Sequence, residues 1–100
     1  MKYLVHWRMR SLSQEEMRKI LPEEIKYFEK IKKEGKLLLA CALIGKSEGY
    51  ELYDADSHEW LYELVANSPF GPYIDLDIWP VVDSDFSLKT MKVILEKKKF

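Results

Sequence analysis

Residues 36–54 read Lys36-Leu-Leu-Leu-Ala-Cys-Ala-Leu-Ile-Gly-Lys-Ser-Glu-Gly-Tyr-Glu-Leu-Tyr-Asp54. The apolar run from Leu37 to Ile44 carries no charge, so it reads as a strand buried on both faces. Gly45-Lys-Ser-Glu-Gly49 supplies a turn, and Tyr50 to Asp54 is a second, shorter strand. Two strands joined by a turn sit in the middle of the chain, and the segments flanking them decide the architecture.

Upstream, residues 3–10 alternate. Tyr3, Val5, Trp7 and Met9 share one face; Leu4, His6, Arg8 and Arg10 share the other, as in a strand with one apolar and one mixed side. Ser13 and Glu16 have the spacing of a capping box, and Met17, Ile20, Leu21, Ile25, Phe28 and Ile31 then follow at helical spacing. Pro22 either kinks this helix or begins a second one. Lysines at 30, 32, 33 and 36 and a glycine at 35 suit a helix C-terminus.

Downstream, Asp56 or Ser57 caps a helix with apolar positions at Trp60, Leu61, Leu64 and Val65. Asn67-Ser-Pro-Phe-Gly-Pro72 ends it, because proline cannot continue the backbone ladder. Residues 73–82 alternate again, with Ile74, Leu76 and Ile78 on one face and Tyr73, Asp75, Asp77 and Trp79 on the other. In the tail, Leu88, Met91 and Leu95 suit a third helix, while Val93 and Leu95 also suit a strand.

The order is β-α-β-β-α-β followed by this tail. Right-handed crossovers convert it into a four-stranded antiparallel α+β sheet with both main helices on one side and the first and last strands adjacent. The other side of the sheet has nothing left to cover it, which predicts a homodimer or a multiple of dimers.

Composition removes several function classes. The net charge is −1, so no broad basic face exists for nucleic acid. No apolar stretch is long enough for a membrane span and no charged-then-apolar leader opens the chain, so the expected compartment is the cytoplasm. The single cysteine, Cys41, lies in an apolar run and reads as an inert buried thiol. His6 and His58 are too few for a metal site, and the glycines match no nucleotide-binding spacing. The charges are dominated by lysine and glutamate, with Asn67 and Gln14 the only amides, a bias found in proteins from hot environments.

The chemistry-bearing residues gather on the mixed side of the sheet. If the last strand lies beside the first, His6 and Arg8 meet Asp75 and Asp77, and Glu51 and Tyr53 join from the neighbouring strand. Histidine, arginine and carboxylates together can do general acid–base work. Cross-strand charge pairing that only stabilises the sheet explains the same residues. Tyr73 and Trp79 complete a candidate substrate pocket with Tyr53 and Asp77.

Several segments resemble the muconolactone isomerase family. These are Lys33-Glu-Gly-Lys36, Gly45, Tyr50-Glu-Leu-Tyr-Asp54, Ser57, Leu64 and, above all, Ser68-Pro-Phe-Gly-Pro-Tyr-Ile-Asp-Leu-Asp77, together with a first strand carrying His6 and Arg8. The resemblance covers roughly residues 3–80. It implies a ferredoxin-like domain over residues 1–83, with residues 84–100 a helical or extended tail, and sheets that pair in dimers as an α/β barrel. It also implies a proton shift in a small unsaturated acid without metal or organic cofactor. In such an enzyme the sheet face offers the catalytic candidates: His6 or one of Asp75 and Glu51 as the base, and Arg8 to stabilise a developing enolate or bind a carboxylate. The family's second strand carries arginines where this chain has only Leu37 to Ile44. That departure points to a substrate other than muconolactone. The alternatives are an oligomeric protein that binds a small apolar ligand between sheet and helices without catalysis, and a cofactor-free oxygenase.

Overall fold

The computed structural model describes residues 1–98. The elements are β1 (Lys2–Met9), α1 (Gln14–Glu34), β2 (Leu37–Ala42), β3 (Glu48–Asp54), α2 (His58–Ala66), β4 (Ile74–Val81) and α3 (Ser84–Lys98), with a short 3-10 turn at Gly71–Tyr73 before β4. α1 starts with the reciprocal cap: the Glu16 N–H donates to the Ser13 hydroxyl at 3.1 Å and the Ser13 N–H donates to Glu16 Oε1 at 3.4 Å. The helix continues through Pro22, so the two halves of the apolar stripe belong to one element. It ends at Gly35, whose φ of 77° is the left-handed conformation that glycine adopts without penalty. Ser57, rather than Asp56, caps α2 by accepting from the Trp60 N–H.

The sheet is antiparallel throughout, in the order β2-β3-β1-β4. This is the ferredoxin-like α+β fold expected from the element order. Register then assigns each side chain to a face, because residues paired directly across a ladder point the same way. Val5 lies opposite Glu51 and Ile78, and Tyr3 opposite Tyr53 and Pro80. His6 lies opposite Tyr50 and Asp77, and Arg8 opposite Glu48 and Asp75.

The first set faces the helices. Tyr3, Val5, Tyr53 and Ala55 form the buried core with Ile31 of α1 and Leu61 of α2. The second set faces away from both helices, and no other described element covers it. Trp7 packs against the backbone at Gly49. A Cβ there would lie 2.8 Å from the indole and 2.2 Å from the Cys41 carbonyl oxygen, so only glycine fits.

Three expectations change. The run from Leu37 to Ile44 is not a doubly buried strand. β2 stops at Ala42, is an edge strand and is largely exposed in the single chain. Cys41 is exposed with it. Glu51 and Tyr53 do not join His6 and Arg8, since they occupy the helix-facing side of the sheet.

The tail from Ser84 is helical to Lys98. Of the α3 side chains described, only Ser87 is even half-buried, and Phe86, Leu88, Met91, Ile94 and Leu95 are all exposed. The described chain is correspondingly elongated, 62 × 28 × 19 Å. Of the basic end of the chain, Lys99 lies outside the described residues.

Candidate functional site

The sequence candidates fall on two sides of one sheet, with different surroundings. On the open side, Arg8 Nη1 donates to Asp77 at 2.6 Å and to His6 Nδ1 at 3.0 Å. A guanidinium can only donate, so Nδ1 is the acceptor and the ring proton is on Nε2. That nitrogen is buried without a hydrogen-bond partner and lies 3.5 Å from Glu48 Oε1. The imidazole is stacked on Tyr50 with centroids 4.4 Å apart. Asp75 is taken by Arg10 at 2.7 Å, and this hydrogen bond, with the charge behind it, holds the Asp75 carboxyl below the usual range. His6, Arg8, Asp75 and Asp77 therefore stand together, but each is already engaged with a neighbour. Trp79 is exposed beside them, and Tyr73 belongs to the 3-10 turn leading into β4.

The helix-facing side holds a cavity of about 460 Å³ between the sheet and α1 and α2. Its walls are largely apolar and aromatic, with Trp7, Phe28, Phe70, Leu64 and Leu76 prominent among them. Two carboxyls from different elements enter it, Glu51 of β3 and Glu24 of α1, and Glu29 also borders it. Burial pushes the Glu51 carboxyl above its ordinary range, the hydroxyl of Tyr53 offsets part of the effect, and the charge of Glu24 adds to it. Burial likewise raises Glu24, against the pull of the Ser68 hydroxyl and the Phe70 backbone. The Ser68 hydroxyl donates to Glu24 at 2.6 Å, joining the loop after α2 to α1. Tyr53 is buried to 2% exposure, and its phenol is pushed strongly upward by burial and by Glu51, so it stays protonated. Tyr27 lines the same space and gives its hydroxyl proton to the Leu64 carbonyl.

Of the sequence candidates, Glu51 and Tyr53 line this cavity, while His6, Arg8, Tyr73, Asp75, Asp77 and Trp79 do not. Glu24, Tyr27 and Ser68 were not among the candidates. Glu24 had a legible signal, since it is a charge four residues from both Ile20 and Phe28, inside the apolar stripe of α1. Among the described residues, no lysine, arginine or histidine lines the cavity. His58 is outside it, its Nδ1 in contact with the Tyr3 hydroxyl.

A family profile described as "Domain of unknown function (DUF3303)" matches residues 1–95. The chain belongs to this family. This DUF3303 domain is also 27% identical over 70 residues to a muconolactone Δ-isomerase of Cupriavidus pinatubonensis (strain JMP 134 / LMG 1197), spanning 70% of the chain and 76% of that protein. The crystal structure of a muconolactone isomerase superposes with a TM-score of 0.75 at 17% identity, covering 83% of this chain and 90% of that one. A 5-chloro-2-hydroxyhydroquinone dehydrochlorinase from Burkholderia phenoliruptrix AC1100, solved with 2,5-dihydroxybenzoquinone, superposes at 0.71 with 15% identity, covering 86% and 98%. The DUF3303 chain is thus a divergent relative of the muconolactone isomerases, and at these identities the solved structures establish the fold. No helix among the described residues is long and apolar enough to cross a membrane.

Proposed function

We propose that this protein is a cofactor-free isomerase of small oxygenated rings, with Glu51 as the proton carrier in the cavity between sheet and helices. One observation carries the reading: a carboxyl with raised proton affinity enters an apolar cavity beside a phenol that stays protonated. A carboxyl in that state holds a proton more readily than an exposed glutamate, which suits it to taking one and returning it. The named activities of the relatives, on a lactone and on a chlorinated hydroxyhydroquinone, are compatible with rings of the size the cavity admits.

The step follows from the residues. The Glu51 carboxylate removes a proton from the carbon between a ring carbonyl and a ring double bond. The electron pair moves onto the carbonyl oxygen, and the Tyr53 hydroxyl, released by Glu51 as that carboxylate takes up the proton, donates a hydrogen bond to it. Protonated Glu51 then returns the proton to the far carbon of the former double bond, which leaves the two double bonds conjugated. No other reactant is consumed.

The open face has a different role in this account. The His6–Arg8–Asp77 network lies on a sheet face that also exposes Trp79, at 45%, and Leu39, at 61%. A second copy of the chain, packing sheet against sheet, would bury both and seal the network, so the protein acts as a homodimer.

Conversion of 3-cyclohexen-1-one to the conjugated 2-cyclohexen-1-one, followed by ultraviolet absorbance, tests the catalytic reading. Purified protein should accelerate it, and Glu51→Gln should lose about 10²–10⁴-fold of that rate. A rate unaffected by Glu51→Gln would contradict the assignment. A second reading, ligand binding without turnover, is favoured by the engagement of the Tyr27 and Ser68 hydroxyls inside the protein.

A further inference from the structure

We propose that the cavity selects uncharged ring compounds bearing hydroxyl groups, such as quinols and their enol relatives, and rejects ring carboxylates. The proposal rests on the catalytic reading above and adds the substrate class.

The charge of the lining comes first. Glu24, Glu51 and Glu29 border the cavity, and among the described residues no cation does. A ligand carboxylate would bring a further negative charge into an apolar space already occupied by two interacting carboxyls. Nothing in the described lining could neutralise it, and an unpaired charge in such a place is strongly disfavoured.

Hydrogen bonding narrows the class. The Ser68 hydroxyl is committed to Glu24 and the Tyr27 hydroxyl to the Leu64 carbonyl. What the cavity has to spare is acceptor capacity at the carboxyls. A ligand that donates O–H groups matches it better than one that only accepts, which is left with the Tyr53 hydroxyl. The ring itself is matched by Trp7, Phe28 and Phe70, flat surfaces that favour offset or edge-on aromatic contacts.

An organic ammonium would also meet negative charge, but it needs more acceptors than the site offers. Ser68 already donates to Glu24 and the Tyr53 hydroxyl to Glu51, so three N–H donors would have to share what remains of the two carboxyls. A buried ion pair with unmatched donors does not recover its desolvation cost. A phenolic hydroxyl has one proton to place, and Glu51 accepts it.

Titration calorimetry at neutral pH with hydroquinone, 2,5-dihydroxybenzoate and tyramine separates these cases. Hydroquinone should bind at least about tenfold more tightly than the carboxylate, a gap of roughly 1.4 kcal/mol. Glu24→Gln and Glu51→Gln, measured singly, should each narrow that gap. Equal or tighter binding of 2,5-dihydroxybenzoate, a gap unchanged in both variants, or tyramine as the tightest ligand would overturn the assignment. Absence of hydroquinone binding while 3-cyclohexen-1-one is still turned over overturns the substrate class alone. Absence of both overturns the catalytic reading on which it rests.

Discussion

Glu51 and His6 lie on adjacent strands, one position out of register, and point to opposite sides of the sheet. Glu51 is paired with Val5, and His6 with Tyr50. A carboxyl and an imidazole close together in the ladder therefore work in separate environments. The first is in an apolar cavity under the helices; the second is in a charged network on the uncovered face.

The raised proton affinity of Glu51 links stability to pH. Its folded-state pKa lies above the unfolded one, so the folded form binds more protons between the two values. The penalty is absent below the unfolded pKa and complete once pH has risen through the folded one. Glu51→Gln should therefore raise the denaturation midpoint at neutral pH, and the gain should shrink toward pH values below the ordinary glutamate range. Urea melts at several pH values measure this. An equal gain at all pH values would mean that burial of the charge is not its source.

Ser13→Ala should cost about 0.5–2 kcal/mol, because the Glu16 N–H loses its acceptor at the start of α1. Chemical denaturation reads the loss directly. An unchanged midpoint would mean that this end of α1 contributes nothing to the cooperative unit.

The uncovered face makes a statement about mass. Light scattering at micromolar concentration should report a dimer or a multiple of dimers. Trp79→Glu, which puts a charge at an exposed aromatic on that face, should shift the protein toward the monomer. A monomer mass for the unaltered chain would exclude sheet-to-sheet pairing.

The fold was legible because local signals agreed. The capping pair at Ser13 and Glu16, the stripe of α1, Gly35 at its end and the alternation of β1 and β4 all imply the same element order, and β1 and β4 are neighbours as that order requires. The site was only half legible, and β3 explains why. Tyr50 and Leu52 take one side and Glu51 and Tyr53 the other, so each side carries an aromatic and neither reads as the core side. Which of them meets His6 depends on register, and a one-residue slip exchanges the two faces completely. The uncharged run at Leu37 misled for a related reason. An exposed edge strand can have the same composition as a strand buried on both faces, because composition records apolarity and not position in the sheet. Glu24 is ambiguous in sequence, because a charge in the first turn after a proline suits a helix start as well as a cavity wall.

The most direct test of the central claim compares the two faces in one assay. Glu51→Gln and His6→Gln should be measured side by side for kcat/KM on 3-cyclohexen-1-one, each with its oligomeric mass checked. The account predicts a fall of about 10²–10⁴-fold for Glu51→Gln and retention within an order of magnitude for His6→Gln. The opposite pattern, with activity lost in His6→Gln and kept in Glu51→Gln, would move the chemistry to the open face and contradict the account.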